Sequence, residues 1–287
     1  MSASPVQLLP IARGDVTLVG EFLSRHLNPR LSPEGWAAAI VPPWTVESPN
    51  HGYQLVSDGD VVGVLLAFYS RRLVDGSVED FCNLGAWCVL EEYRSHGIRM
   101  LRALLAQRGY SFTDLSPSGA VIPLNQRLRF SSLDTDTVLV PARPLPWPRR
   151  TKVVDDPDVI ASRLTGAQRV IFEDHRRAAA ARHLLLERGD RTCYVIFRHD
   201  RRKGVPAFAS ILHVSDPDLF ADSITELSRH LLVHHRVLCV LGELRVIGSR
   251  PSMSLRLKRP RPKMFRSPRL GEEAIDYLYS QLTCGAW

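Results

Sequence analysis

Apolar positions along the chain switch repeatedly between a period of two and a helical period, and the switches mark the elements. "VQLLPIA" alternates as a first strand, and a helix follows from about Asp15 to Leu27 with Asp15 as its cap. "SPEGWAAAI" opens a second helix, in which Ser32 is the cap, Pro33 the first helical residue and Glu34 the acid of the first turn. "YQLVSDGDVVGVLLAFYS" reads as two strands joined by the turn dipeptide Asp58-Gly59. "FCNLGAWCVL" is a further strand. A basic bend, Arg94 to Gly97, leads from it into an amphipathic helix that buries Met100, Leu101, Leu104 and Leu105. "YSFTDLSP" then reads as a strand, "SGAVIPLNQRLRF" as a short helix interrupted early by Pro123, and "DTVLVPA" as a last strand.

The best linker is Ala142 to Lys152, where Pro144, Pro146 and Pro148 favour an extended chain. Beyond it, "GAQRVIFEDHRRAAAARHLLLERG" is expected to form one long helix, because its alanine run favours helix and Gly189 can end it. "TCYVIFRH" and "PAFASILHV" read as a hairpin, "DPDLFADSITELSRHLLVHH" as a helix and "RVLCVLGELRVI" as a strand. This order repeats that of the first half. The expected organisation is an α/β chain with an internal duplication: residues 1–141, a linker at 142–152, and residues 153–287.

Composition changes this picture little. The chain has 287 residues, 45% of them hydrophobic and 23% charged, which is ordinary for a globular protein. No apolar run approaches the roughly 20 residues of a membrane span, and "MSASPVQLLPIARGD" lacks the basic start and apolar core of a signal peptide. Five scattered cysteines without a CxxC pair read as reduced thiols of a cytoplasmic protein. The net charge of +7 lies in the second half, since residues 1–150 carry 14 Arg and 14 Asp or Glu.

The bend between strand and helix carries the candidate chemistry. Backbone N–H groups at a helix start lack intrahelical partners, and with the helix dipole they favour an anion such as a phosphate. Gly97, without a Cβ, would let a ligand approach the main chain, and Arg94, His96 and Arg99 add positive charge. An ordinary strand-to-helix connection is the plainer alternative.

With its flanking elements, "EEYRSHGIRMLRALL" resembles the signature of the GNAT superfamily of N-acetyltransferases, in which Arg or Gln is followed after two residues by Gly and, one further on, by Gly or Ala. The resemblance covers roughly residues 5–140. It implies a mixed, mostly antiparallel central sheet flanked by helices, here in tandem with a degenerate second copy. It also implies acetyl-CoA or another acyl-CoA as donor, with its pyrophosphate on Arg94, Ser95, His96, Gly97, Ile98, Arg99 and Met100. The pantetheine arm would run along Cys88, Val89 and Leu90. The acceptor would be a small-molecule or peptide amine, with pocket walls from Ser32 to Trp44 and from Tyr69 to Glu79.

Three positions depart from the family pattern. Arg99 stands where Gly or Ala is usual. Asn125 stands at the place of a tyrosine acid, and Asn83 at the place of a glutamate base. Catalysis would then rest on another group, with Glu79, Asp80, Tyr69 and Ser116 as candidates, on a water chain held by Asn83, or on positioning of the amine. A fold that binds CoA without turnover is the alternative.

In the second half the corresponding loop, Ser215-Asp216-Pro217-Asp218, has no glycine and two acids, so it should repel a pyrophosphate. The seven basic residues Arg256, Lys258, Arg259, Arg261, Lys263, Arg266 and Arg269 could meet a polyanion. A solvated loop is the simpler expectation, since three prolines break the run and Phe265 is its only aromatic, and no nucleic-acid partner is expected. His230 and His234 have the spacing of two metal ligands on one helix face, but no acidic residue in the sequence around them completes a motif, and no metal is expected. The sequence leaves the acceptor, the acyl chain and the oligomeric state open.

Overall fold

The computed structural model describes residues 5–142, 150–202 and 204–285. The chain forms two compact units. One comprises Met1–Ser132, Lys263–Ala274 and Tyr279–Trp287; the other comprises Leu133–Pro262 and Ile275–Leu278.

The first unit is built on strands β1 (Gln7–Pro10), β2 (Gly52–Ser57), β3 (Asp60–Val74), β4 (Ser77–Val89), β5 (Tyr110–Asp114) and β6 (Ser131–Ser132). The second uses β7 (Thr137–Pro141), β8 (Lys152–Val154), β9 (Arg182–Arg188), β10 (Arg191–Arg202), β11 (Val205–Val214), β12 (Cys239–Glu243) and β13 (Leu255–Arg256). A last strand, β14 (Met264–Arg266), returns to the first unit.

The sheet orders are β1-β2-β3-β4-β5-β14-β6 and β8-β9-β10-β11-β12-β7-β13. They match position by position, down to the single parallel pair in each, β4 with β5 and β11 with β12. The duplication read from element order is therefore present. The sixth strand of each sheet is exchanged: β7 directly follows β6 in the chain yet pairs with β12 and β13, and β14 takes the matching place between β5 and β6.

The division therefore falls at Ser132 rather than at the expected residue 141, and of the C-terminal segment only Ile275–Leu278 stays with the second half. Most of the expected linker, residues 143–149, lies outside the described residues.

Local signals place most elements of the first sheet. Asp58 and Gly59, both with positive φ (52° and 87°), form a two-residue turn between Ser57 and Asp60. Helix α1 (Val16–His26) starts at Asp15, whose carboxylate accepts from the Ala12 amide rather than from the helix itself. Helix α2 (Pro33–Ile40) is capped by Ser32, which accepts from the Gly35 amide at 3.2 Å. α1 and α2 cover one sheet face through Val19, Phe22, Leu23, Trp36 and Ile40 against Val64, Leu66 and Phe68. Helix α3 (Gly97–Leu105) covers the other through Met100, Leu101 and Leu104. The central strand β3 is thus buried on both faces.

In the second unit the long helix expected over 166–189 is three elements. α5 (Pro157–Arg163) precedes it, α6 (Gly166–His175) ends at His175, the chain turns through residues 176–181 with Ala178, Ala180 and Ala181 buried, and Arg182–Arg188 is β9. β9 pairs with β10 over seven residues and buries Leu184, Leu185 and Leu186 completely. Burying three leucines, at roughly 1.5–3 kcal/mol each, outweighs an alanine preference worth a few tenths per residue. Gly189 (φ 59°) serves the β9–β10 turn, not a helix end.

Two further elements differ. The helix expected over 216–235 is α7 (Pro217–Asp222) and α8 (Ile224–His235), which cover their sheet through Leu219, Phe220, Leu227 and Leu231. The strand expected over 236–247 is β12 followed by a one-turn helix, Leu244–Ile247. No helix among the described residues is long and apolar enough to cross a membrane.

Candidate functional site

β4 and β5 pair in parallel from Asp80–Tyr110 to Leu84–Asp114 and no further. β5 ends there. β4 continues to Val89, held on its other side by β3, with one extra β4 residue accommodated where Leu65 opposes Trp87 and Ala67 opposes Leu84. From Gly85 to Val89 the β5-facing edge of β4 has no strand partner among the described residues. Such an edge offers backbone donors and acceptors to an extended ligand. Cys88 and Val89 lie on it, Leu90 follows, and all three are half-buried. Burial raises the Cys88 thiol above its ordinary pKa, which keeps it protonated at neutral pH.

The chain then passes through a 3-10 turn, Glu91–His96, directly into α3. His96 and Gly97 both have right-handed helical φ and ψ. Ser95 is exposed. Arg94 pairs with Glu91 at 3.5 Å, both largely in solvent. Arg99 donates to the Val6 carbonyl at 3.0 Å and lies 3.2 Å from His96 Nδ1. Ile98 packs against the core beneath the helix, and Met100 is fully buried, so its side chain is out of reach of a ligand.

Gly97 differs from expectation. A Cβ there would face Val89 and Trp87 at 3.4–3.7 Å, in ordinary contact beneath the helix. Helix–sheet packing therefore has room for a Cβ at this position, and the Gly97 amide is already spent on the Arg94 carbonyl.

The candidate catalytic residues sit deeper. Asn83 is buried; its Nδ2 donates to the Thr113 carbonyl and Oγ1 (3.2 and 2.9 Å), and its Oδ1 accepts from the Gln281 amide at 2.9 Å. It ties β4 to β5 and to the C-terminal helix Gln281–Cys284. Asn125, on α4 (Val121–Arg127), is fully buried; its Nδ2 donates to Asp114 Oδ2 at 2.8 Å, while its Oδ1 is buried without a hydrogen-bond partner. Glu79, also buried, is paired with Arg269 at 2.8 Å.

Of the other candidates, Asp80 pairs with Arg71. The Tyr69 hydroxyl lies 2.9 and 3.0 Å from Asn50 Oδ1 and Gln107 Oε1, and burial raises its pKa. Ser116 Oγ accepts from Gln281 Nε2 at 2.8 Å. The stretch from Tyr69 to Glu79 is mostly the tip of the β3–β4 hairpin.

Asp114 was not singled out by sequence. It closes β5 where the strands stop pairing, and burial raises its carboxyl to about 6 against the opposing pull of Asn125 and the Ser116 amide. Its only sequence signal is an acid at a strand end. The C-terminal segment was equally hidden, although it supplies Arg269 to Glu79 and Gln281 to Asn83 and Ser116.

The basic run is partly neutralised. Arg256 pairs with Asp136, Arg261 with Asp200 and Arg269 with Glu79, while Lys263 is buried and Met264–Arg266 is the exchanged strand. In the second unit, Asp216 fills the start of α7 itself, accepting from the Leu219 amide at 2.9 Å and pairing with Arg191.

By sequence, no family model and no curated protein matches this chain. Solved structures do. A GCN5-related N-acetyltransferase from Anabaena variabilis superimposes at 12% identity with a TM-score of 0.59, over 91% of this chain and 72% of that one. One from Kribbella flavida gives 13% and 0.56, over 92% and 71%. A Pyrococcus horikoshii protein described as an acetyltransferase gives 14% and 0.56, over 97% and 95%. At such identities the likeness establishes the fold: the chain has the GCN5-related N-acetyltransferase fold, and the likeness spans both of its units.

Proposed function

We propose that the protein is an acyl-CoA-dependent N-acyltransferase that uses acetyl-CoA and acylates a small-molecule or peptide amine in the cytoplasm. The observation that carries this reading is the unpaired edge of β4 from Gly85 to Val89, which begins where β5 ends and leads to the turn before α3. The pantetheine arm pairs along Cys88, Val89 and Leu90. The pyrophosphate lies at the turn of Arg94, Ser95 and His96, with Arg99 contributing charge.

In the transfer, the neutral amine attacks the thioester carbonyl, an N–C bond forms, the C–S bond breaks, and the proton lost by nitrogen balances the proton taken by the CoA thiolate. Backbone N–H groups of the open β4 edge polarise the carbonyl. Asn83 and Asn125 act as positioning residues, since their amides hold β5 and Asp114. Glu79 anchors Arg269. Positioning of the amine supplies most of the rate.

Calorimetric titration of acetyl-CoA and CoA into the wild type and Ser95→Glu tests the reading. Ser95 is exposed, so the variant adds negative charge at the turn without disturbing the core. Binding by the wild type that weakens at least about tenfold in the variant supports it. A folded wild type that binds neither ligand at millimolar concentration overturns it.

A further inference from the structure

The second unit brings together three groups that the acyl-transfer reading does not use. Asp155 lies between β8 and α5, next to Asp156, which caps α5. Its carboxylate is turned instead towards the C-terminal end of α8. There His230 Nε2 lies 3.1 Å from Asp155 Oδ2 and His235 Nε2 lies 3.9 Å from it. The three ligand atoms all fall within 4.8 Å of one another. The sequence shows no acid beside these histidines; the fold supplies one from 75 residues away.

A second observation singles out His235. Its Nε2 is buried and makes no hydrogen bond. A buried nitrogen without a partner is costly. The spacing suits an ion. Two ligands about 2.0–2.1 Å from a tetrahedral centre lie roughly 3.4 Å apart, between the two distances that Asp155 makes. Asp155 and His230 also line a cavity of about 620 Å³, which leaves room for a water or another ligand in the fourth position.

We propose that Asp155, His230 and His235 form a binding site for one divalent first-row ion of the zinc type. Two imidazoles and one carboxylate are a borderline donor set, suited to zinc or cobalt rather than to calcium or magnesium. The ion fastens the β8–α5 connection to the end of α8. The ligand pair on the helix is His230 with His235; His234, whose ring stacks on that of His230 at 4.4 Å, is not a member.

The test is titration of Zn²⁺ into chelator-treated full-length protein by calorimetry, with Co²⁺ absorption as a report on the ligands. The expected result is one equivalent bound at micromolar or better affinity, a higher Tm with zinc, and a cobalt spectrum without thiolate charge transfer. Asp155→Asn and His235→Gln should each weaken binding by at least about tenfold, the loss that even outer-shell changes cause. Circular dichroism confirms that both variants fold, and the cobalt spectrum of the wild type decides the ligand type independently of either. No stoichiometric binding by the wild type, a thiolate band, or affinity retained in both folded variants overturns the proposal.

Discussion

Asn125 Nδ2 donates to Asp114 Oδ2 across 2.8 Å, and both side chains are shut away from solvent. The bond joins α4 to the last residue of β5, at the point where β4 and β5 stop pairing. The carboxyl is harder to ionise in the folded protein than in the unfolded chain, at about 6 against 3.8.

That difference has a definite sign. Between the two values the folded state binds more protons than the unfolded one, so stability falls as pH rises. The contribution is fully present below about pH 4 and lost on passing through about 6. It amounts to on the order of 3 kcal/mol. Urea unfolding of the wild type and Asp114→Asn at pH 4 and 7.5 should show the stability gap moving in the variant's favour at the higher pH. A gap that does not change with pH would mean the carboxyl is not perturbed.

Two glycines should respond in opposite ways. Gly52 has φ 113°, and a Cβ there would lie 2.0 Å from the Leu65 carbonyl oxygen. Gly52→Ala should cost roughly 3 kcal/mol or more, or prevent folding. Gly97→Ala places its methyl in ordinary contact with Val89 and Trp87 within a helical turn. It should leave stability unchanged or raise it by up to about 1 kcal/mol, with acetyl-CoA affinity retained. A Gly97→Ala protein that folds but fails to bind acetyl-CoA would restore the glycine to a role at the ligand.

The exchanged strand should be essential to the first unit. Met264 is fully buried in the core that also holds Leu101, Leu104 and Phe112. Met264→Ala should cost about 2–5 kcal/mol, read from chemical denaturation. A loss below about 0.5 kcal/mol would mean that β14 is not inserted between β5 and β6 in solution.

The Glu79–Arg269 pair can be weighed by a double-mutant cycle. Glu79 is buried and Arg269 is mostly exposed, so solvent screens the pair in part. Arg269→Ala should cost roughly 1–2 kcal/mol, and much less in a Glu79→Gln background. Equal losses in both backgrounds would show that the two side chains are not coupled.

The sequence by itself determined the elements whose signals are local. Asp58-Gly59 specified its turn, Ser32-Pro33 the start of α2, and the spacing of Met100, Leu101 and Leu104 the buried face of α3. The recurrence of the same element order in both halves was legible for the same reason, because a residue's neighbours within a few positions set helix and turn preferences. The turn before α3 and the strand leading to it were found this way as well.

Only the tertiary structure decided which strand completes each sheet and which side chains meet. Thr137–Pro141 alternates as a strand whichever sheet it joins, and nothing in its spacing says that it pairs with β12 while Met264–Arg266 takes the place between β5 and β6. The alanine run after His175 carries helix propensity, which yields once Leu184 to Leu186 find a sheet to enter. Asp114 meets Asn125, Asn83 meets Gln281, and Asp155 meets His230 and His235 only after the chain has folded, across separations of 11 to 198 residues. Local preference is set by nearest neighbours along the chain. Strand insertion and buried polar pairing are set by the edges and partners that remain once every other element has packed.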